Sequence, residues 1–207
     1  MATTNHDVPD GTRDPRWLPL RDEHLAFLDS ERWTQMLRND LLPWLLAEGG
    51  LGDDVLEIGP GPGRTTDLLR ELAPAVTAVE LDPRLARRLG ERLAGTPVEV
   101  VHGDARRSGL AAGRFSAVAC FHVLHHVPTP AGQDALFREA ARVLRPGGVL
   151  LCADALDQPG TRTAHEEQGE TFQPLDPALL PQWLADAGFR TVEQRAADYQ
   201  LLVRAVR

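Results

Sequence analysis

The chain contains no lysine, and all 22 of its basic side chains are arginine. Schiff-base chemistry at a lysine and the phosphate-binding lysine of a P-loop are therefore excluded. There are two cysteines, Cys120 and Cys152, and each lies inside an apolar run, which favours reduced core thiols over a disulfide. Metal-binding spacings such as C-x-x-C and H-E-x-x-H are absent, so the linear pattern predicts no metal site.

Long apolar runs and blocks of basic residues are also missing. No apolar run approaches the roughly 20 residues that a helix needs to cross a bilayer, and the N-terminus lacks the pattern of a signal peptide. The net charge is -8, which disfavours a nucleic acid as partner. We therefore expect a cytoplasmic protein that binds neither membranes nor nucleic acids.

The length and the hydrophobic content of the chain fit one globular domain with a small cap. Of the 207 residues, 43% are hydrophobic, enough for one sizeable core. Residues 1–20 have few apolar positions, and we expect a disordered tail there. Residues 21–50 show helical periodicity with Ser30 as a candidate N-cap, which predicts an N-terminal helical cap. Residues 51–207 are predicted to form the main domain.

A glycine-rich loop at residues 54–66, DVLEIGPGPGRTT, is the most informative stretch of the chain. A short apolar run that predicts a buried strand is followed by glycines at three alternate positions, and an amphipathic helix begins near Arg64. A bare backbone between a strand and a helix N-terminus makes a cradle for a nucleotide, because only glycine lets a ligand lie against the main chain.

The spacing of this loop distinguishes it from the dinucleotide fingerprint G-x-G-x-x-G. Glu57, Gly59, Gly61 and Gly63 form the pattern E-x-G-x-G-x-G, which resembles motif I of the class I S-adenosylmethionine-dependent methyltransferases, in particular small-molecule enzymes of types 11 and 25. The segment RVLRPGGVLLCAD at residues 142–154 closely resembles the post-IV segment of the same family. The resemblance covers roughly residues 30 to 207, so residues 51–207 would be the S-adenosylmethionine-binding domain.

The resemblance implies a Rossmann-like, doubly wound α/β fold. Its seven-stranded sheet would have the order 3-2-1-4-5-7-6, with the last strand antiparallel. Apolar runs at residues 75–79, 98–101, 115–121 and 149–154 fit the next four parallel strands, and residues 189–206 read as a terminal hairpin. In the family, an N-terminal helix pair also covers the cofactor, which makes Trp33 and Met36 candidates for the pocket.

Acidic residues at the ends of two predicted strands complete the expected cofactor site. Glu80 follows the second strand and can accept hydrogen bonds from both ribose hydroxyls. The resemblance assigns the adenine amine to Asp104 and an adenine ring nitrogen to the backbone amide of Ala105. The full set of predicted cofactor contacts is Glu57, Gly59, Pro60, Gly61, Gly63, Thr65, Glu80, Leu81, Asp104, Ala105, Phe121 and His122.

Three histidines after the fourth strand are the candidates for catalysis. Methyl transfer from a sulfonium is a displacement reaction, in which the protein positions the acceptor and removes its proton. By resemblance, the pair His125 and His126 with Asp154 matches a base and a supporting acid in some O-methyltransferases, whereas other members keep the pair without catalytic use. His122 stands where many relatives have a small residue, and it would face the cofactor or the acceptor.

The predicted function is methyl transfer from S-adenosylmethionine to a small molecule, with oxygen favoured over nitrogen or sulfur. The alternative is a protein that binds the same cofactor for another reaction, such as a cyclisation, or as a non-catalytic binding module. A nicotinamide-dependent dehydrogenase is the third possibility. The protein is expected to be a monomer or a homodimer, with the cap and residues 155–176 selecting the acceptor.

Overall fold

The computed structural model describes residues 18–207. The predicted tail at residues 1–20 lies outside the described residues except for its last three positions. The helices are α1 (Asp22–Leu28), α2 (Glu31–Met36), α3 (Leu42–Leu45), α4 (Arg64–Leu72), α5 (Pro83–Arg92), α6 (Pro130–Val143), α7 (Pro159–Gln168) and α8 (Leu180–Ala187). The strands are β1 (Asp54–Ile58), β2 (Ala75–Glu80), β3 (Val98–His102), β4 (Phe115–Phe121), β5 (Leu144–Ala155), β6 (Thr191–Ala197) and β7 (Gln200–Val206).

The strands form one seven-stranded sheet in the order β3-β2-β1-β4-β5-β7-β6, which confirms the predicted topology. Strands β1 to β5 pair in parallel, and β7 runs antiparallel to both β5 and β6. The order reverses between β1 and its neighbours β2 and β4. In a sheet of this kind, ligands bind beyond the carboxyl ends of the strands at that reversal.

Helices cover both faces of the sheet, which explains the uninterrupted apolar character of its central strands. Every residue of β4 is buried. A strand with helices on both faces has no polar side to offer to water, so its sequence does not alternate. One core cluster joins the sheet to α6 and α8, and a second joins its other face to α4 and the N-terminal helices. Cys120 and Cys152 are free and buried, as predicted for core thiols.

A serine cap and a proline determine where the N-terminal helices begin and where their hydrogen-bond pattern changes. The hydroxyl of Ser30 accepts a hydrogen bond from the backbone N–H of Trp33, which caps α2 as predicted. A π-helical turn at Leu37–Leu41 then precedes α3. Pro43, in the first turn of α3, has no N–H to donate to the preceding turn, which accounts for the interrupted α-helical ladder there.

Residues 155–176 contain a helix that the sequence analysis did not predict. Helix α7 has proline at its first position and ends at Gly169, which has left-handed backbone angles. Proline at the start and glycine just past the end are helix signals. These two signals alone did not lead to the prediction of a helix, because α7 has no buried residue and hence no apolar stripe in its sequence. Among the helices formed by residues 18–207, none is long and apolar enough to cross a membrane.

Helix α4 offers a matched test of how it is anchored to the sheet. Leu69 is fully buried in the core, whereas Leu72, one turn later, is 48% exposed. We expect Leu69→Ala to lower the free energy of unfolding by about 2–5 kcal/mol, because it removes packed methyl groups and leaves a cavity. Leu72→Ala should change it by less than about 0.5 kcal/mol. Chemical denaturation of both variants without cofactor measures the difference, and equal losses would show that α4 is not packed as described.

Candidate active site

A cavity opens at the carboxyl ends of β1, β2 and β4, beneath the N-terminal helices. Ten of the predicted cofactor residues line it. They are Gly59, Pro60, Gly61, Thr65, Glu80, Leu81, Asp104, Ala105, Phe121 and His122. Glu57 and Gly63 are not part of its lining. Leu28 and Trp33 cover the cavity from the N-terminal side.

The three glycines of the loop are required for different reasons. A side chain on Gly59 would come within 2.6 Å of Val123, and one on Gly63 within 2.3 Å of Leu89. A side chain on Gly61 would meet only Leu28, at 3.9 Å, so it would project into the cavity. Gly59 and Gly63 therefore permit close packing of the protein, while Gly61 keeps the cavity free for a ligand and also has a φ of 55°, which disfavours other residues.

Glu57 supports the glycine-rich loop from behind. Its side chain is buried, and its Oε2 accepts a hydrogen bond of 2.6 Å from the hydroxyl of Thr66 in α4. Burial raises the pKa of Glu57 to about 8, and the nearby carboxylate of Glu80 adds to the effect. Because Glu57 is largely protonated at neutral pH, it links β1 to α4 as a neutral group.

Glu80 connects the end of β2 to the loop. Its two carboxylate oxygens accept hydrogen bonds from the backbone N–H groups of Gly61, at 3.0 Å, and Asp82, at 2.8 Å. Burial raises the pKa of Glu80, and these two hydrogen bonds oppose the rise. Two carboxylate oxygens offer about four acceptor positions, so the carboxylate can still accept a hydrogen bond from a ligand hydroxyl.

Asp104 is held by an arginine that the sequence analysis did not single out. The guanidinium of Arg106 lies 2.7 Å from Oδ2 of Asp104, and its backbone N–H donates to Oδ1 at 2.9 Å. Both side chains line the cavity. A ligand amine at Asp104 would therefore share the carboxylate with Arg106. The pattern of apolar runs that locates the strands does not indicate this ion pair.

Of the two pocket residues predicted in the N-terminal helices, Trp33 lines the cavity and Met36 does not. The ring of Trp33 lines the cavity and stands edge-on to the ring of His122, with 5.0 Å between their centroids. Met36 is absent from the lining, and its sulfur instead accepts a hydrogen bond from the hydroxyl of Tyr199. Trp33 therefore remains the candidate for ligand contact, and Met36 joins the N-terminal helices to the β6–β7 hairpin.

Asp154 and His125 form a buried pair below the cavity. The Oδ1 atom of Asp154 lies 2.6 Å from Nδ1 of His125, and neither side chain is more than 1% exposed. Burial alone would raise the pKa of Asp154, but the adjacent ring of His125 and its hydrogen bond lower it overall. The carboxylate therefore fixes Nδ1 of His125 as a donor and orients the ring.

His122 and His126, in contrast, both line the cavity. The Nε2 atoms of both rings are buried and have no hydrogen-bond partner among the described residues. Burial, and next the positive field of His125, lower the pKa of His122 to about 4, so its ring is neutral at neutral pH. Burial likewise lowers the pKa of His126. Of the three predicted base candidates, only these two line the cavity.

Three further polar side chains surround His126, and the sequence analysis missed them all. They are His24, His165 and Glu170, contributed by α1, by α7 and by the segment after α7. Their positions along the chain give no short motif, and the helix that carries His165 was not predicted. Only the folded chain brings them together.

The raised pKa of Glu57 makes stability depend on pH. Between about pH 4.5 and 8 the folded chain holds a proton on Glu57 that the unfolded chain releases, so folding becomes less favourable as the pH rises. Glu57→Gln removes this proton exchange. We expect its stability relative to the unaltered protein to increase through that interval by up to roughly 1.4 kcal/mol per pH unit and to level off above it. Denaturation between pH 5 and 9 measures the difference; parallel curves would contradict the assignment.

Comparisons with known proteins agree with this architecture. The family described as Methyltransferase domain matches residues 56–152. The ubiquinone biosynthesis O-methyltransferase of Xanthomonas axonopodis pv. citri is 30% identical over 164 residues, which make up 72% of this chain and 67% of that protein. The dimethyladenosine transferase of Schizosaccharomyces pombe is 38% identical over 116 residues, or 48% of this chain, and the match spans only 38% of that protein's length.

A solved structure supports the fold. The N-methyltransferase NodS from Bradyrhizobium japonicum WM9, in complex with S-adenosyl-L-homocysteine, has a TM-score of 0.66 at 20% identity. The superposition covers 87% of this chain and 90% of that one. With the family match and the Xanthomonas relative, the conclusion is that this chain belongs to the class I S-adenosylmethionine-dependent methyltransferases, with S-adenosylmethionine as its cofactor.

Proposed function

We propose that the protein transfers the methyl group of S-adenosylmethionine to a hydroxyl group of a small molecule, and that His122 accepts the hydroxyl proton. The observation that carries the proposal is the state of His122. Its Nε2 is buried and has no hydrogen-bond partner among residues 18–207, the residue lines the cavity, and its lowered pKa keeps the ring neutral. A neutral imidazole nitrogen without a partner in an apolar wall is suited to accept a hydrogen bond from a hydroxyl.

The cavity fits the cofactor in three places. The bare Cα of Gly61 leaves room for a ligand against the main chain, the carboxylate of Glu80 can receive ribose hydroxyls, and Asp104 can receive the adenine amine. When bound, the cofactor supplies a methyl group already activated by a positively charged sulfur. The task of the protein is therefore to orient the acceptor, exclude water and take up a proton.

His122 is held firmly for that role. Its φ of 56° is unusual for a residue other than glycine, and its backbone N–H donates a 2.7 Å hydrogen bond to the carbonyl of Ala153. Such angles cost about 1–3 kcal/mol and persist only where the surroundings enforce them. The ring of His122 also packs against His125, whose own orientation is fixed by Asp154. In this proposal His125 and Asp154 are positioning residues.

A weak base is sufficient for this reaction. A hydroxyl oxygen that is gaining a methyl group becomes positively charged and strongly acidic, so its proton passes readily to an imidazole of low pKa. The acceptor is a small molecule because the cavity lies beneath Leu28 and Trp33, and the net charge of -8 opposes a nucleic acid. Oxygen is favoured as the methylated atom by the name of the Xanthomonas relative, an O-methyltransferase.

Replacement of His122 tests the proposal directly. Small phenols and hydroxy acids, assayed with labelled cofactor, identify an acceptor. With that acceptor, His122→Ala should lower kcat by about 10²–10⁴-fold, since it removes the proton acceptor. Calorimetry should show a much smaller change in affinity for S-adenosylhomocysteine. His102→Ala, at the end of β3 and not part of the cavity lining, is the control and should retain full turnover. Full turnover by the His122 variant would refute the role of this ring.

The pH profile gives a second, independent test. Burial, His125 and His24 lower the pKa of His122, Asp154 and a side-chain hydrogen bond with Gln200 raise it, and the net pKa is about 4. Since an imidazole accepts a proton only above its pKa, His122 stays competent throughout the neutral range. We therefore expect kcat to show no decline attributable to His122 between pH 8 and 5.5. An inflection near pH 6.5 that disappears in His122→Ala would instead show an ordinary, unshifted histidine.

A further inference from the structure

Four side chains converge at the edge of the cavity without any role in the reaction described above. They are His24, His126, His165 and Glu170, and we call them the His₃Glu cluster. Each offers one ligand atom, and these atoms all lie within 4.8 Å of one another. The cluster brings together α1, the turn after β4 and the α7 region, which are far apart in sequence.

The hydrogen bonds of His126 and His165 leave the same atom of each ring free. Nδ1 of His126 lies 3.2 Å from the carbonyl oxygen of Thr171, and Nδ1 of His165 lies 2.8 Å from that of Thr161. Because a carbonyl oxygen only accepts, each Nδ1 carries the proton, and each Nε2 presents a lone pair. Both Nε2 atoms are buried without a hydrogen-bond partner among the described residues.

This arrangement is costly without a ligand and typical of histidines that bind metals. Two neighbouring lone pairs cannot bond to each other, and a buried acceptor without a partner costs about 1–3 kcal/mol. Metal-binding histidines characteristically donate their second ring N–H to a backbone carbonyl, which fixes the tautomer and the ring orientation. His126 and His165 both show that pattern.

Glu170 supplies a negative charge whose orientation is already fixed. Its side chain is only 2% exposed. Oε1 accepts a 2.8 Å hydrogen bond from the backbone N–H of Arg21, and Oε2 lies 2.8 Å from Nδ1 of His24. One carboxylate oxygen is thus anchored to the segment before α1, and the other points into the His₃Glu cluster.

We propose that the His₃Glu cluster binds one divalent transition-metal ion of the Zn²⁺ type. Three imidazole nitrogens and one carboxylate oxygen match the ligands that Zn²⁺ takes in four-coordinate sites, whereas Mg²⁺ and Ca²⁺ prefer oxygen. Bonds of about 2.0–2.2 Å would place tetrahedral ligands roughly 3.4 Å apart. Side-chain rotations would have to shorten the longest distance between ligand atoms, at most 4.8 Å, by up to about 1.4 Å to reach that spacing.

The metal would act on structure, because four protein ligands complete a tetrahedral site. It would fasten α1 to α7 across the cavity edge that His126 lines. Helix α1 has only Leu28 buried, with Phe27 packed partly buried against the same core, so a metal would add to a limited apolar anchorage. The site is separate from the methyl-transfer chemistry: metal binding can be measured whether or not an acceptor is found.

Cobalt is the probe that reports binding and geometry together. The untagged protein, freed of metal with a chelator, is titrated with Co²⁺ and followed by visible absorption, then with Zn²⁺ in competition. We expect one Co²⁺ per chain with the intense absorption of a tetrahedral complex, displacement by one equivalent of Zn²⁺ and no displacement by Mg²⁺. Zn²⁺ should also raise the Tm of the unaltered protein.

Two variants and two matched controls locate the site. His165→Ala and Glu170→Gln should weaken Co²⁺ binding by at least about 100-fold, since even outer-shell changes cost roughly 10–100-fold. His102→Ala and Glu167→Gln remove the same chemical groups outside the cluster and should bind as the unaltered protein does. Circular dichroism verifies folding, and Glu170→Gln keeps the shape of the side chain.

The results that would overturn the proposal are distinct from a failure of methyl transfer. No absorption change with excess Co²⁺ in a folded protein that still binds S-adenosylhomocysteine would refute the metal site and leave the proposed reaction standing. Equal binding by Glu170→Gln, or equal losses in the two controls, would place the metal elsewhere. Tight Co²⁺ binding in a protein that methylates no acceptor would support the site and count only against the reaction.

Discussion

The buried carboxylate of Asp154 organises the catalytic end of the sheet. It stands in β5, and its two oxygens accept hydrogen bonds from the backbone N–H groups of Leu124, His125 and Ala155, as well as from the ring of His125. The turn after β4 is thereby tied to the neighbouring strand. An ionised group without these donors would be too costly to bury, so the turn and the acid depend on each other.

The positions of His122 and His126 follow from that turn. Gln133 of α6 donates from its side chain to the carbonyls of Leu124 and Gln173, and the backbone N–H of Gln173 donates to the carbonyl of His125. The turn is therefore held from β5, from α6 and from the segment after α7. With its backbone fixed on three sides, it can present His122 at an unfavourable backbone angle and His126 at the edge of the cavity.

The acids around the cavity show how burial and hydrogen bonding compete. Glu57 receives one side-chain hydrogen bond, and its pKa rises to about 8. The pKa of Asp154, equally buried but surrounded by donors and by histidine, falls instead. At neutral pH, Glu57 is therefore largely neutral where it joins β1 to α4, whereas Asp154 is negatively charged beside His125.

The sheet order was expected from the resemblance to the methyltransferase family, and ten of the twelve predicted cofactor residues line the cavity because local patterns locate the loop and the strand ends. The apolar runs mark the strands, the glycine spacing marks the loop, and parallel strands bring Glu80 and Asp104 to one edge. What was missed depends on contacts between distant segments. His122 has a left-handed backbone angle, the partner of Asp104 is a partly buried arginine of the cavity wall, and His165 lies on a helix without an apolar stripe.

The shared core beneath the N-terminal helices determines how molecules can enter and leave the cavity. Trp33, Leu37 and Leu45 belong to the same apolar cluster as α4 and the sheet. Moving α2 and α3 away from the sheet as a unit would therefore expose part of the core to water. Helix α1 is different, because only Leu28 is buried, while Phe27 packs partly buried against the same cluster and polar contacts join the helix to the region after α7. Cofactor and product are therefore expected to pass through the seam between α1 and α7, where fewer apolar contacts have to be broken than at α2 and α3, and a metal bound by the His₃Glu cluster would restrict this route.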